Sequence, residues 1–200
     1  MMGKILIGIT GGIGSGKTVV SDILRVKEIP VYDADNESKR LIVSDDTLKS
    51  KLTQLLGDDI YFADGSLNRK LMASKIFHDK DLITQVNQII HPAVGRDFSC
   101  WAEKQKSPIV ATECALLFES GLNKRIDYSI MVYAPLPIRI QRAMQRDNAT
   151  REQIEARIKN QMDDDKKRDL ADFVIMNDNR TAILPQVNQL LSNLSIDTQE

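Results

Sequence analysis

The sequence contains few cysteines, and they form no recognisable motif. Its 200 residues include only Cys100 and Cys114, which stand in unrelated contexts without a C-x-x-C pair or a histidine at ligand spacing. Zinc sites and redox motifs place cysteines at short, fixed spacings, so the sequence predicts neither. We expect two reduced, buried thiols.

The sequence also lacks an excess of charge of either sign and any long apolar run. Its 27 basic and 28 acidic residues give a net charge of -1, and the pI is about 6.2. No basic field favours nucleic acid, and no polybasic tail favours a membrane surface. No apolar run approaches the roughly 20 residues of a membrane span, and the N-terminus enters a strand without a secretory signal. We expect a soluble, cytoplasmic protein that binds neither nucleic acid nor membrane; the sequence indicates no oligomeric state.

Glycine is scarce as well, and half of the ten glycines lie between Gly8 and Gly16. Residues 11–18 read Gly-Gly-Ile-Gly-Ser-Gly-Lys-Thr, a complete G-x-x-x-x-G-K-[ST] phosphate-binding loop directly after an apolar run. Without Cβ atoms, successive N–H groups can surround a phosphate at the positive end of the following helix. Lys17 would then reach the β and γ phosphates, and Thr18 a magnesium ion. The alternatives are a glycine-rich turn before a helix, and a dinucleotide site, whose third glycine is replaced by Lys17.

Short apolar runs recur along the chain and alternate with helical patterns. This pattern predicts an α/β fold with three layers and a five-stranded parallel sheet. In such sheets ligands bind beyond the carboxyl ends of the strands. The predicted strands are Ile5–Ile9, Ile29–Tyr32, Ile109–Thr112, Tyr128–Tyr133 and Phe173–Met176.

The spacing of these strands divides the chain. We expect a single domain, 1–200, with a core of residues 1–36, 107–137 and 169–200. Residues 37–106 are too long for one crossover helix and predict a helical insertion that holds the substrate. Residues 138–168 predict two helices broken at Asp147–Ala149, the second restarted by a capping box of Thr150 and Gln153.

Arginines concentrate in this second segment. Arg139, Arg142 and Arg146 share one helical face, and Arg151 and Arg157 follow. The pattern predicts a mobile basic lid, because phosphoryl transfer needs cations around the γ phosphate and exclusion of water. An ordinary charged surface helix is the alternative. For the run Asp163–Lys167 we expect a solvated helix face without function.

A series of short motifs extends over nearly the whole chain. They are Thr10–Lys17 (TGGIGSGK), Asp33–Asp35 (DAD) with Arg40, Asp64–Arg69 (DGSLNR), His91–Pro92 (HP), Leu116–Glu119 (LLFE), Gln141–Arg142 (QR), Gln145–Asp147 (QRD), Gln161, and Ala171–Asn177 (ADFVIMN). Taken together, these motifs resemble those of the dephospho-CoA kinases. That family implies a P-loop kinase core with a helical substrate-binding insertion and a helical lid, ATP and Mg²⁺ as cofactors, and dephospho-CoA as the acceptor.

The chain departs from the family pattern at several positions of its motifs, and one of them is the pair Thr18-Val19, since Ser-Thr more commonly follows the loop lysine. Glu113 and Ala115 stand where Asp and Pro are usual, Asn68 replaces Asp, and Asn179 replaces Gly. Thr18 keeps a hydroxyl and Glu113 keeps a carboxylate, so we expect magnesium binding to persist.

The resemblance and the position of each residue in the predicted fold imply roles for the site residues. Asp33, Lys17 and Arg142 are expected to be catalytic, with Asp33 as the base for the 3'-hydroxyl proton; a helix N-cap is the alternative for Asp33. Thr18 is the expected metal ligand. The expected ATP contacts are Gly12, Ile13, Gly14, Ser15, Gly16, Lys17, Thr18, Val19, Arg146 and Asn177. The expected substrate contacts are Thr10, Asp35, Arg40, Arg69, His91, Leu117 and Glu119.

Purely structural roles are the alternatives for several of these residues. His91 precedes Pro92, which favours a position just before a helix N-terminus and is also typical of a structural turn histidine. Arg40 and Arg69 are equally typical of surface ion pairs. Two other functions stay open: a P-loop kinase for a nucleoside or sugar alcohol, and a P-loop switch protein, which the absence of Asn-Lys-x-Asp and D-x-x-G motifs disfavours.

Overall fold

Five parallel strands form one sheet in this protein. The computed structural model describes residues 4–76 and 79–197. The strands are β1 (Ile5–Thr10), β2 (Val31–Asp33), β3 (Ile109–Glu113), β4 (Tyr128–Tyr133) and β5 (Phe173–Met176), and they lie in the order β2-β3-β1-β4-β5. The predicted α/β class and parallel sheet are confirmed. The second strand begins and ends later than expected, and the Pro30 carbonyl before it accepts a hydrogen bond from Ala111 N at 2.8 Å.

Helices connect the strands. They are α1 (Lys17–Val26), α2 (Ala34–Ser44), α3 (Asp46–Leu56), α4 (Arg69–Ile76), α5 (Lys80–Lys104), α6 (Leu136–Asp147), α7 (Arg151–Ile158), α8 (Asp164–Leu170) and α9 (Ile183–Asp197), with short 3₁₀ turns at Asp58–Ile60 and Leu122–Arg125. Within the described residues, no helix combines the length and the apolar character needed to cross a membrane.

The chain forms two compact units. One comprises the chain up to Tyr32 and from Lys104 onward, and the other comprises Asp33–Glu103. The predicted ranges of the core and the insertion include residues 1–3, 77–78 and 198–200, which lie outside the described residues.

The core of the first unit explains the apolar runs. The strand side chains of one face of the sheet are buried against α1 and α9, which also contact each other. Van der Waals contact and the hydrophobic effect across these layers hold the sheet in place. The core residues include Ile7, Ile9, Val20, Leu24, Ala111, Ile130, Val132, Ile175, Val187, Leu190 and Leu194.

In the second unit, α5 is continuous through His91 and Pro92. The prediction that His91 directly precedes a helix N-terminus is therefore wrong. Proline removes one backbone hydrogen bond from a helix interior, but buried apolar side chains on both sides of it, including Ile90, Ala93 and Val94, fix the helix against its neighbours. Packing overrides the local preference here.

The thiols and the lid segment also differ from expectation. Cys114 is buried as predicted, but Cys100 is exposed. The capping box of Thr150 and Gln153 is present, and α6 ends at Asn148, whose φ of 47° stops the helix. The lid segment contains a third helix, α8, where two were predicted.

Candidate active site

The phosphate-binding loop joins β1 to α1 at the carboxyl edge of the sheet. Gly16 is the N-cap residue of α1, with a left-handed φ of 94°. A Cβ atom there would collide with the Asn177 side-chain amide. The Lys17 ammonium lies over the loop, its Nζ donating to the Gly11 carbonyl at 3.0 Å. Glycine is therefore required at position 16 both by conformation and by the approach of Asn177.

Glu113 ends β3 and lies beside α1. One carboxylate oxygen accepts a hydrogen bond from Thr18 Oγ1 at 3.1 Å, and the other accepts from Ser21 Oγ at 2.7 Å. Thr18 and Ser21 are three residues apart and so face the same side of the helix. Glutamate reaches both hydroxyls from the strand end, and these bonds fix the orientation of its carboxylate.

The Thr18 hydroxyl and the Glu113 carboxylate offer oxygen ligands next to the phosphate-binding loop. Hard oxygen donors suit Mg²⁺, which proteins commonly bind through one or two carboxylates together with nucleotide phosphates. Within residues 4–76 and 79–197, no group of three or more His, Cys, Asp and Glu side chains is placed to hold a metal. The Thr18 and Glu113 oxygens fit a magnesium ion that takes its other ligands from nucleotide and water.

Arg142 joins the phosphate-binding loop to the loop after β5. Its guanidinium donates to the Gly14 carbonyl at 3.5 Å, to both oxygens of Asn177 at 3.2 Å, and to the Asn179 side chain. Asn177 donates in turn from Nδ2 to the Ser15 carbonyl at 2.7 Å. The structure therefore brings Arg142 and Asn177, 35 residues apart in the chain, together at the loop.

The other two arginines of α6 do not share the surroundings of Arg142. Arg139 is buried, its side chain only 3% exposed, and pairs with Asp164. Burial lowers the pKa of its guanidinium. Arg146 is 65% exposed and pairs with Asp147 at 2.8 Å; this hydrogen-bonded pairing raises the pKa of Arg146.

The Asp147 carboxylate also holds the turn between α6 and α7. Asp147 accepts hydrogen bonds from Arg146 and, at 2.8 Å, from Arg157. These bonds lower its pKa, with the bond to Arg146 the largest cause. Two of the lid arginines are thus engaged with Asp147, at the end of the helix hairpin.

The run Asp163–Lys167 is not a solvated face throughout, and that prediction is wrong for Asp164 and Lys167. Asp164 pairs with buried Arg139, and Lys167 is fully buried. Its Nζ donates to the Ala115 carbonyl at 2.7 Å and pairs with Glu119 at 3.0 Å. Nothing in the local sequence separates Lys167 from exposed Lys166, since only packing from other elements determines which lysine is covered.

Three predicted acceptor contacts lie in the first unit, Thr10 at the end of β1 and Leu117 and Glu119 in the loop after β3. Thr10 Oγ1 donates to the Ala115 carbonyl at 3.4 Å, and Glu119 accepts a hydrogen bond from Met162 N at 2.8 Å. Leu117 is fully buried, and its side chain lies where a Cβ on Gly8 would project. Leu117 is therefore packed beneath this loop.

The second unit carries the remaining predicted residues. Asp33 is the N-cap of α2, accepting from Asn36 N at 3.0 Å, as the alternative reading expected. Arg40 pairs with Glu37 and, at 2.9 Å, with Asp97. These two carboxylates raise its pKa.

Asp35, Arg69 and His91 are distributed over three helices of that unit. Asp35 lies in the first turn of α2, Arg69 begins α4, and His91 lies within α5. Asn68, which departs from the family pattern, accepts a hydrogen bond from Leu71 N at 3.1 Å. Asparagine and aspartate cap helices about equally well, so this substitution preserves the start of α4.

Comparison with known proteins agrees with the resemblance. The family model described as dephospho-CoA kinase matches residues 5–182. The chain belongs to the dephospho-CoA kinase family. It is 45% identical over 191 residues to a dephospho-CoA kinase of Bacteroides fragilis, covering 95% of this chain and 93% of that one. It is 42% identical over 194 residues to that of Porphyromonas gingivalis, covering 95% and 94%.

Solved structures extend the likeness to the fold. The protein TT1252 from Thermus thermophilus superposes with a TM-score of 0.81 at 32% identity, covering 98% of each chain. The dephospho-CoA kinase from Campylobacter jejuni has a TM-score of 0.66 at 20% identity, covering 97% of each chain. A shikimate kinase from Acinetobacter baumannii has a TM-score of 0.57 at 15% identity, covering 100% of this chain and 97% of that one. This family therefore shares its fold with other small-molecule P-loop kinases.

Sequence reasoning missed the contacts of several residues in this site. Arg139, Asp164 and Lys167 resemble ordinary members of charged helices, and Ser21 resembles an ordinary polar position on α1. For the three charged residues, the available signal is charge on helices whose apolar stripe is thin. That signal does not identify which charged side chain is buried.

Proposed function

We propose that this chain transfers the γ-phosphate of ATP to the ribose 3'-hydroxyl of dephospho-CoA, forming coenzyme A and ADP. The observation that carries the proposal is the phosphate-binding loop with Glu113 held against Thr18, in a chain that matches the dephospho-CoA kinase family over residues 5–182. A cytoplasmic location fits a reaction that uses ATP and a soluble coenzyme. The proposal includes the division of the chain into a core, a helical insertion at residues 37–106 that holds the substrate, and a lid at residues 138–168.

The nucleotide would bind at the loop between β1 and α1. Backbone N–H groups of Gly12–Val19 and the N-terminus of α1 would surround the phosphates. Lys17 and Arg142 would balance the charge that develops on the transferred group, and Arg146 and Asn177 would contact ATP. Thr18 and Glu113 would hold Mg²⁺, which when bound neutralises charge on the β and γ phosphates.

The acceptor hydroxyl needs a base and a fixed position. Asp33 is the last residue of β2, and we assign it as the base that takes the 3'-hydroxyl proton. Asp35, Arg40, Arg69 and His91 would contact the coenzyme from the second unit. Thr10, Leu117 and Glu119 would shape the acceptor site within the first unit.

Product identification tests the reaction. The purified protein is incubated with ATP and Mg²⁺, with and without dephospho-CoA, and the products are identified by mass. We expect ATP consumption only with the acceptor, and a product one phosphate heavier than dephospho-CoA. Phosphorylation of a nucleoside or sugar alcohol in preference to dephospho-CoA would favour another small-molecule P-loop kinase, a reading that the shared fold of shikimate kinase keeps open.

The role of Asp33 has its own test. Asparagine caps helices as well as aspartate, so Asp33→Asn should leave α2 intact and remove the base, lowering kcat by roughly 10² to 10⁴. Asp45, the N-cap of α3, accepts from Leu48 N at 3.0 Å and provides a matched control. Asp45→Asn should keep the kcat of the wild type. A loss under about tenfold in folded Asp33→Asn would remove Asp33 from this role.

A further inference from the structure

Lys167 is a buried cation that the proposed mechanism does not use. Its side chain is 0% exposed, whereas the adjacent Lys166 is exposed. Removing an ammonium from water is costly unless hydrogen bonds and an opposite charge replace the water. Lys167 obtains both, from the Ala115 carbonyl at 2.7 Å and the Glu119 carboxylate at 3.0 Å.

Both partners of Lys167 belong to the segment that follows β3, residues 114–121, which we call the post-β3 loop. Thr10 Oγ1 donates to the same Ala115 carbonyl. The Glu119 oxygen that pairs with Lys167 also accepts from Met162 N at 2.8 Å. The post-β3 loop is thus held from two points of a short stretch, residues 161–167, which we call the bridge segment.

The bridge segment also contacts the phosphate-binding loop. Ile13 N donates to Gln161 Oε1 at 3.1 Å. Asp164 pairs with Arg139, and the Arg139 guanidinium lies where a Cβ on Gly12 would project. Four residues of this seven-residue segment, Gln161, Met162, Asp164 and Lys167, therefore link the loops after β1 and β3, with Asp164 acting through Arg139. These two strands are neighbours in the sheet.

We propose that Lys167 is a positioning residue that couples nucleotide binding at the phosphate-binding loop to the arrangement of the post-β3 loop. The inference rests on the proposed function, in which the first loop binds ATP and the second borders the acceptor. When a bound nucleotide fixes the positions of Gly12 and Ile13, it also fixes the bridge segment that contacts them. The bridge segment in turn fixes the post-β3 loop, because Lys167 and Met162 bond to Ala115 and Glu119. Glu119 acts within this network and positions the loop. Any resulting gain in acceptor affinity is matched by an equal gain in nucleotide affinity.

Three variants separate positioning from simple stability. Lys167→Met removes the charge at nearly constant volume and leaves Glu119 without its cation. The double variant Glu119→Gln, Lys167→Met removes both charges, so it should recover much of the stability lost by Lys167→Met. Lys166→Met removes the same charge one residue away at an exposed site and is the matched control.

The first measurement needs no acceptor. Backbone hydrogen exchange of residues 114–121 is followed with and without a non-hydrolysable ATP analogue and Mg²⁺, at saturating analogue for each protein. We expect the analogue to slow exchange across these residues in the wild type and in Lys166→Met. In Lys167→Met and in the double variant we expect the analogue to protect the phosphate-binding loop but not residues 114–121.

The second measurement is the Kd of dephospho-CoA by calorimetry, with and without the analogue. In the wild type and Lys166→Met, the analogue should tighten acceptor binding by about fivefold or more, the lower range of typical coupling. In the double variant the effect should fall below about twofold. Equal coupling in all four proteins, or protection of residues 114–121 that survives the loss of Lys167, would overturn the proposal. Failure of dephospho-CoA to bind any of the four proteins would instead count against the proposed function, while the exchange experiment still decides the role of Lys167.

Discussion

Glu113 shows at the level of one residue how this chain keeps a carboxylate beside the phosphate-binding loop with a longer side chain. Glutamate is one methylene longer than aspartate and is correspondingly freer to rotate. The buried hydroxyl of Ser21 removes that freedom by holding the second carboxylate oxygen at 2.7 Å. Thr18 keeps the first oxygen beside the phosphate-binding loop.

We predict that Glu113→Gln lowers kcat by roughly 10²-fold, since it removes a charge aimed at the proposed magnesium site, and raises the Mg²⁺ concentration needed for half-maximal rate. Ser21→Ala keeps the carboxylate and loses one hydrogen bond, which is worth about 1.5 to 3 kcal/mol when one partner is charged. Its effect should therefore appear mainly in the Mg²⁺ requirement. Steady-state rates over a Mg²⁺ titration give both quantities. A Glu113→Gln variant with the Mg²⁺ dependence of the wild type would contradict the assignment.

Two glycines with nearly the same backbone conformation differ in their surroundings. Gly14 has φ 76° and Gly121 has φ 73°. A Cβ on Gly14 would collide with the Arg139 carbonyl, whereas nothing lies within 4 Å of one on Gly121.

We predict that Gly121→Ala costs about 1 kcal/mol of unfolding free energy, from the left-handed conformation alone. Gly14→Ala should cost about 1–3 kcal/mol more, because the backbone of α6 must also move. Urea unfolding of both variants measures the difference. Equal losses would mean that the phosphate-binding loop tolerates a shift of α6.

Helix α5 shows at the level of an element how packing prevails over a local signal. Pro92 lies in the helix interior on an exposed face. Alanine is about 3 kcal/mol more favourable than proline in a helix interior. The buried side chains of the opposite face keep the helix continuous despite that deficit.

We predict that Pro92→Ala raises the free energy of unfolding by about 1–3 kcal/mol, because a backbone hydrogen bond is restored. Arg96→Ala, at another exposed position of α5, is the control and should change stability by about 0.5 kcal/mol or less. Chemical unfolding followed by circular dichroism provides the comparison. A loss of stability in Pro92→Ala would show that the ring packs in a way that the helix needs.

At the scale of the whole molecule, binding of nucleotide stabilises the folded chain by mass action. A ligand at about 100 times its Kd adds about 2.7 kcal/mol to the free energy of unfolding. We predict that a non-hydrolysable ATP analogue with Mg²⁺ has this effect on the wild type. Lys17→Met, which lacks the ammonium over the loop, should gain less than about 1 kcal/mol at the same concentration.

Lys27→Met is the control for this measurement. Lys27 follows the other end of α1 and is exposed, so its variant should be stabilised by the analogue as strongly as the wild type. Thermal or urea unfolding with and without the analogue tests all three proteins. If Lys17→Met were stabilised in full, the nucleotide would bind elsewhere than at the phosphate-binding loop.

The sequence by itself determined the features that depend on neighbouring residues. The apolar runs predicted the five parallel strands, since side chains buried on both faces need no alternation. The glycine pattern predicted the loop between β1 and α1, and Thr150 with Gln153 predicted the start of α7. The position of Asn177 just after a predicted strand placed it at the carboxyl edge of the sheet, where ligands bind in such folds.

Only the tertiary structure decided which charged and polar side chains are buried. Lys166 and Lys167 are adjacent residues of the same type, yet the post-β3 loop covers only Lys167. Arg139 is buried and Arg146 is exposed on the same helix, and Pro92 stays within α5. Burial is set by elements distant in sequence, whose positions follow from the packing of the whole core. Local periodicity therefore identifies the helices and strands but not the contacts among their charged residues.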